Sequence, residues 1–175
     1  MKKISFSVVV ILLIGLSGCM GVRPASSGGR AGKLYESFLR EGGVMQYYIK
    51  PLTFSSSQEK AEVDFVYRSN FSPDSLVTCN FSLLLPDTFR DLTATEAGFQ
   101  TEEVVSLEEV QKLYADSGKS KYHVRYSAKM RYEEFLKLLT AKDVSFQFKA
   151  KEHSTNMSAP TKTERHIADL YQQLF

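Results

Sequence analysis

The chain has 175 residues, of which 43% are hydrophobic, 24% charged and 12% aromatic. This composition is typical of one globular domain, and it excludes a disordered chain and a protein that crosses a membrane repeatedly. The formal net charge is only +2 and no run of Lys and Arg occurs. The sequence therefore lacks the basic surface on which nucleic-acid binding depends, and no nucleic-acid partner is expected.

The first eighteen residues have the layout of a secretory signal peptide. Lys2 and Lys3 precede an apolar run over residues 4–16, which is too short to span a bilayer comfortably, and the small pair Ser17-Gly18 follows. An ordinary secretory signal would explain this much. Residues 16–19, however, read Leu-Ser-Gly-Cys and resemble the lipobox of bacterial lipoproteins at all four positions.

The resemblance to bacterial lipoproteins implies a modification of one residue. Cys19 would receive a diacylglycerol on its thiol, the chain would be cut before it, and the new amino group would be acylated. Lipoproteins held in the inner membrane tend to carry Asp after the cysteine, whereas Met20 stands here, and residues 21–24 contain no acidic cluster. The resemblance thus implies a protein in the outer membrane that faces the periplasm.

Removal of eighteen residues would leave 157, with 20 Lys and Arg against 20 Asp and Glu, so the mature chain would be formally neutral. Residues 19–32 are rich in glycine and serine and predict a flexible tether behind the lipid. Residues 33–175 then form one globular domain. With Cys19 carrying lipid, Cys79 is the remaining thiol, so no disulfide within the chain is expected.

The first predicted element of the domain is a short helix over 33–41, which would end at Gly42-Gly43. From residue 45 onward, apolar residues recur at every second position, which predicts three half-buried strands. The connections 55–59 and 69–75 are short and turn-like, so the strands should be antiparallel neighbours. The apolar positions are Met45, Tyr47 and Ile49; Ala61, Val63, Phe65 and Tyr67; and Val77, Cys79, Phe81 and Leu83.

A helix is predicted after residues 87–100, which show no clean period. Ser106 and Glu109 have the spacing of a capping box, and apolar residues follow at helical intervals as far as Gly118. These residues are Leu107, Val110, Leu113 and Tyr114.

The C-terminal third begins with the clearest alternation in the sequence, a strand over 121–130. A short helix around Phe135, a strand over 144–150, a polar loop over 151–158 and a break at Pro160 follow. A second capping box, Thr161 to Glu164, would open an amphipathic helix. Its apolar stripe consists of Ile167, Leu170, Tyr171 and Leu174.

These elements predict an α+β fold. Its main part would be an antiparallel β-sheet or β-sandwich of about five or six strands, with short helices that include the C-terminal one. A domain of this size buries about two thirds of the surface of its unfolded chain, so it needs neither a disulfide nor a metal ion.

The sequence predicts no catalytic, cofactor-binding or metal-binding residue. His123 lies on the polar face of a strand, His166 beside the apolar stripe of the last helix and His153 in the polar loop, with no metal-ligand spacing among them. Cys79 alternates with apolar neighbours, which predicts a buried and unreactive thiol. Glu62 and Asp64 share a strand face at a separation that permits acid–base chemistry, although charges on an exposed sheet face require no such role.

Aromatic residues are the one unusual resource, with twelve Phe and nine Tyr but no Trp. Most of these rings should fill the β core. Tyr47-Tyr48 and the stretch from Phe89 to Phe99, however, place some rings where the alternation does not predict burial. Exposed rings of this kind would suit a surface that binds a protein or a glycan. We therefore expect a lipid-anchored envelope protein that acts as a binding or structural accessory. A periplasmic hydrolase and a carrier of an apolar ligand between the sheet and the last helix are the alternatives. A pocket in which a histidine meets an acid or a serine would favour the hydrolase.

Overall fold

The computed structural model describes residues 31–70, 72–86, 96–117, 121–151 and 153–175. In this part of the chain ten strands form one antiparallel sheet, accompanied by short helices. The strands are β1 (Tyr35–Leu39), β2 (Met45–Ser55), β3 (Lys60–Arg68), β4 (Leu76–Pro86), β5 (Glu96–Gln100), β6 (Val104–Ser106), β7 (Glu108–Ser117), β8 (Lys121–Arg131), β9 (Ser145–Ala150) and β10 (His153–Ser158). The α-helices are α1 (Ala31–Leu34), α2 (Tyr132–Thr140) and α3 (Thr161–Leu174), and a 3₁₀ turn spans Glu41–Gly43.

The sheet coils until it is nearly closed. Its strand order is β6-β5-β9-β10-β2-β3-β4-β8-β7, and β1 pairs with the first half of β2, next to β10. The two strands at the ends of this order, β6 and β7, are consecutive in the chain, with only the buried Leu107 between them. Distant strands also meet across the interior, where the rings of Phe81 on β4 and Phe146 on β9 lie 5.1 Å apart.

Aromatic side chains fill this interior because the strands alternate apolar and polar residues. Phe54 contacts Phe99 at 5.9 Å between ring centroids, and Phe65 contacts the same ring at 6.0 Å. All three of these rings are fully buried. The face that alternation predicts as apolar is thus the inner face of the coiled sheet.

Several predicted elements are confirmed. The three consecutive strands of the first half are β2, β3 and β4, joined as antiparallel neighbours. The strand over 121–130 is β8, with its alternate residues buried, and the helix around Phe135 is α2. The strand over 144–150 is β9, and the C-terminal helix is α3.

The predicted helix over 33–41 is wrong. The α-helix ends at Leu34, Glu41 belongs to the 3₁₀ turn, and Tyr35–Leu39 forms the strand β1. This strand pairs with β2 from Tyr35 opposite Ile49 to Leu39 opposite Met45. Leu39 is 67% exposed, so the spacing of Phe38 and Leu39 does not mark a buried helical face. Hydrogen bonding to β2 decides the conformation of this segment.

The predicted helix after Ser106 is also wrong, because Glu108–Ser117 forms the edge strand β7 against β8. Two irregularities in register interrupt this pairing, one before Gln111 and one between Lys112 and Tyr114. Glu109 adopts a positive φ of 53°. These β-bulges break the period of two, so the apolar residues imitate helical spacing.

The predicted number of five or six strands is too low, and the polar loop over 151–158 is in part a strand. Residues 153–158 form β10, in which Met157 is buried and its neighbours Asn156 and Ser158 are exposed. Residues 96–100, which belong to the stretch without a readable period, form β5, and residues 104–106 form β6. Gly98 permits these two strands to approach, because a Cβ there would lie 2.4 Å from the carbonyl oxygen of Val105. Residues 87–95 lie outside the described part.

The capping box from Thr161 to Glu164 does not form. Pro160 is the N-cap residue, and its carbonyl oxygen accepts from the backbone N–H groups of Thr163 and Glu164. The side chain of Thr163 instead donates to the carbonyl oxygen of Thr53 at 2.8 Å, which ties α3 to β2. Helix α3 packs on α2 and β2 through a stripe narrower than predicted, since Tyr171 is 41% exposed.

Replacing Leu170 by Ala tests this packing. Leu170 is fully buried, so L170A should lower the free energy of unfolding by about 2–5 kcal/mol through lost burial and the cavity that remains. Urea unfolding followed by circular dichroism measures the change. The neighbouring variant Tyr171→Ala is the control and should change stability far less. Equal losses in both variants would contradict the packing of α3.

Candidate functional site

His153 meets an acid in the structure, which is the arrangement expected of a hydrolase. Glu59 lies in the turn between β2 and β3, where its side chain is only 8% exposed. The Nε2 atom of His153, at the start of β10, lies 2.8 Å from Glu59 Oε1. The hydroxyl of Thr155 donates to Glu59 Oε2, and that of Ser56 donates to the same oxygen at 3.3 Å. We call these four residues the Glu59 cluster.

The hydrogen bonds of the Glu59 cluster differ from those of an activated nucleophile. An activated nucleophile requires its hydroxyl on the imidazole, with the imidazole oriented by an acid. Here the hydroxyls of Ser56 and Thr155 both donate to the carboxylate. The backbone pairing between β10 and β2 consists of one residue pair, Ser158 opposite Ser55. The cluster therefore joins β10 to the β2–β3 turn where the backbone ladder is shortest.

Replacing Glu59 by Ala tests this role. The change removes the acceptor of two hydroxyls and of the imidazole, so stability should fall by about 1–3 kcal/mol. The control is Glu62→Ala, because Glu62 pairs with Lys60 at a half-exposed site where an ion pair contributes about 0–1 kcal/mol. Urea unfolding of both variants measures the difference. Similar losses would show that the Glu59 cluster does not stabilise the sheet.

Glu62 and Asp64, the two acids that share a strand face, each form an ion pair with a different basic residue. Glu62 contacts Lys60 at 2.6 Å. Asp64 Oδ2 lies 2.6 Å from Arg125 Nη2, and its other oxygen accepts from Asn80 at 2.9 Å. Arg125 also donates to Ser82, so this network links three adjacent strands, β3, β4 and β8, on the outer face of the sheet.

The other two histidines lie on separate elements. His123 on β8 is half-buried, and its ring meets that of Tyr114 edge-on at 5.7 Å. His166 is half-buried on α3. Within the described ranges, no group of three His, Cys, Asp or Glu residues is placed to hold a metal ion.

Cys79 is fully buried on the inner face of β4, as its alternation predicts. Burial raises the pKa of its thiol well above the ordinary value, and the carboxylate of Asp64 raises it further, while Arg125 lowers it. The thiol is therefore protonated and shielded at neutral pH, which makes it unreactive.

Labelling with a bulky maleimide tests the placement of Cys79. In a Cys19→Ala background Cys79 is the remaining thiol of the two in the chain. The native protein should stay unlabelled, and protein in urea should label completely; mass spectrometry reads both. Rapid labelling of the native protein would place Cys79 on the outside.

An open cleft of about 650 Å³ lies beside the β1–β2 hairpin. We call it the β1–β2 cleft. Its lining combines apolar, aromatic and cationic side chains that the sequence analysis did not bring together. Among them are Phe38, Leu39, Arg40, Gln46, Tyr48 and Arg68.

The hairpin turn positions the cleft. Gly42 and Gly43 adopt positive φ values of 78° and 75°, a conformation that favours glycine, and the chain then reverses so that the N–H of Arg40 donates to Val44 at 2.8 Å. Tyr48 lies on the exposed side of β2, where its ring meets that of Phe38 edge-on at 5.4 Å.

Gln46 organises the polar part of the β1–β2 cleft. Its side chain is buried, accepts from Arg40 Nη1 at 3.1 Å and donates to the hydroxyl of Tyr48 at 2.5 Å. Arg68 is the cross-strand partner of Gln46, so a second guanidinium borders the same cleft. The cleft thus holds an exposed aromatic ring together with two cations, Arg40 and Arg68, and one acid, Glu41. Its net positive charge suits a partner that has an acidic group beside an apolar or sugar ring.

The expected exposure of aromatic residues is confirmed for one ring. Tyr48 is 39% exposed, whereas Tyr47 stacks on Tyr67 at 4.8 Å and Phe99 is fully buried. Phe89 and Cys19 lie outside the described residues. Arg40 and Arg68 carried no signal in the sequence, because they are 28 positions apart and only the strand register brings them together.

Comparison of the chain with protein-family models, with curated proteins and with solved structures finds no match.

Proposed function

We propose that the protein is a lipid-anchored lipoprotein of the bacterial cell envelope, held in the outer membrane and facing the periplasm. The observation that carries this proposal is the order of the basic pair Lys2-Lys3, the apolar run 4–16 and the lipobox ending at Cys19. None of the helices in the described part of the chain has the length and apolar character that a membrane crossing requires. One acyl chain binds membranes only marginally, but the two or three chains of a lipoprotein anchor it stably.

Metabolic labelling with palmitate tests the anchor. The wild-type protein should incorporate the label and fractionate with membranes, and Cys19→Ala should lose the label and remain uncleaved. The control is Cys79→Ala, which removes the other cysteine and should keep the label. Unchanged labelling of Cys19→Ala would refute the lipid anchor.

We further propose that the globular part binds a partner rather than converting a substrate. The β1–β2 cleft supports a binding role, because it combines the exposed ring of Tyr48 with Arg40 and Arg68. The hydrolase alternative lacks support in the Glu59 cluster, whose hydroxyls donate to the carboxylate. The carrier alternative requires free space between the sheet and α3, but Ile167 and Leu170 are buried in the packing of that helix.

A cell-wall glycan is the partner that we propose for the cleft. Its sugar rings can stack on aromatic side chains, and its peptide stems carry carboxylates that a guanidinium can bind. Co-sedimentation of the detergent-solubilised protein with purified sacculi tests this. Tyr48→Ala and Arg68→Ala should each weaken binding about tenfold, the typical effect of truncating a central contact residue.

Two exposed residues remote from the cleft provide matched controls. Tyr114→Ala and Lys112→Ala on β7, four strands away from β2, remove an exposed ring and an exposed cation and should leave binding unchanged. Failure of the wild-type protein to sediment with sacculi would exclude the glycan. Equal losses in the cleft and control variants would exclude the cleft.

A further inference from the structure

Helices α1 and α3 together present a basic face. Lys162, Arg165, His166 and Asp169 recur at helical spacing, so they lie on one side of α3. The buried residues of that helix, Thr163, Ile167 and Leu170, lie on an adjacent side. Lys33 of α1 borders the same surface, which surrounds a shallow concavity of about 820 Å³. We call Lys33, Lys162, Arg165, His166 and Asp169 the basic face.

Positive charge is concentrated on this surface. It holds three permanent cations, Lys33, Lys162 and Arg165, but only one acid, Asp169. All three cations are exposed, and no hydrogen bond or ion pair joins them to another described residue. Several lysines of the sheet are paired instead, as Lys50 is with Glu36 and Lys60 with Glu62. In a mature chain of 20 cationic and 20 acidic residues, this is a local segregation of charge.

The basic face lies where the described chain begins. Lys33 belongs to the first helical turn, Ala31–Leu34, and Cys19 precedes Ala31 by twelve positions. Twelve residues span at most about 40 Å even when fully extended. A lipid on Cys19 would therefore keep this end of the domain within about 40 Å of the membrane surface.

We propose that the basic face rests on the anionic phospholipid headgroups of the membrane that holds Cys19, and so orients the domain. This inference depends on the proposed lipid anchor. Lys and Arg are attracted to an anionic leaflet, but the attraction decays over a Debye length of about 8–10 Å. The tether allows the three cations to approach an anionic surface to within that distance, and the attraction would then hold them there.

Amine footprinting on vesicles tests the orientation. The full lipidated protein is reconstituted into vesicles of phosphatidylcholine alone or with phosphatidylglycerol added, and acetylation of each lysine is followed by mass spectrometry. Lys33 and Lys162 should react severalfold more slowly on anionic vesicles at low salt, and the protection should disappear at high salt. Lys112 on the exposed edge strand β7 is the internal control and should react equally on both.

A charge-reversal variant separates electrostatic docking from other effects. Lys162→Glu combined with Arg165→Glu should abolish the protection of Lys33, whereas Lys112→Glu combined with Lys142→Glu should preserve it. Equal reactivity of Lys33 on both vesicle types, or equal protection on both, would overturn the proposal. Failure of the lipidated chain to float with neutral vesicles would instead refute the anchor itself.

Discussion

Burial of one apolar sheet face is the constraint on which the other features of the structure depend. A flat ten-stranded sheet would expose that face, and the helices are too few and short to cover it. The sheet instead coils until its inner face packs against itself, as the contact between Phe81 and Phe146 shows. Helix α2 adds Phe135, whose ring lies 5.1 Å from that of Phe65. The coiled sheet thus forms its core without a disulfide among the described residues.

A coiled sheet requires each strand to pair with its neighbours, and the backbone pairing between β10 and β2 is the shortest in the sheet. One residue pair joins these strands at Ser55, and β1 pairs with residues 45–49 at the other end of the same edge of β2. The buried carboxylate of Glu59 adds side-chain bonds where backbone bonds are few. Each carboxylate oxygen of Glu59 already has a hydrogen-bond partner on another residue. The pairing of Glu59 with His153 therefore links β10 to the β2–β3 turn.

The same topology leaves the two proposed binding surfaces on the outside of the coiled sheet. The β1–β2 cleft lies beside the hairpin, with Arg40, Tyr48 and Arg68 exposed. The basic face lies on the helices α1 and α3. In the proposed function, the basic face would orient the start of the domain toward the membrane, and the β1–β2 cleft would bind the partner.

The sequence by itself determined the features that depend on local pattern. Alternation of apolar and polar residues identified the strands β3, β4 and β8 and placed Cys79 on the inner face. The apolar stripe that contains Ile167 and Leu170 identified the helix α3. Alternation is reliable in these strands because one face is buried along their whole length. The lipobox is likewise a local signal, although it remains a prediction.

Only the tertiary structure decided the edge strands and the sites. Strand β7 pairs through two bulges that break the alternating period, and β1 forms because β2 offers it hydrogen bonds. Glu59 and His153 are 94 positions apart, and strand register alone brings Arg68 next to Gln46. Such contacts depend on which strands become neighbours when the sheet coils. No local pattern of residues encodes that choice.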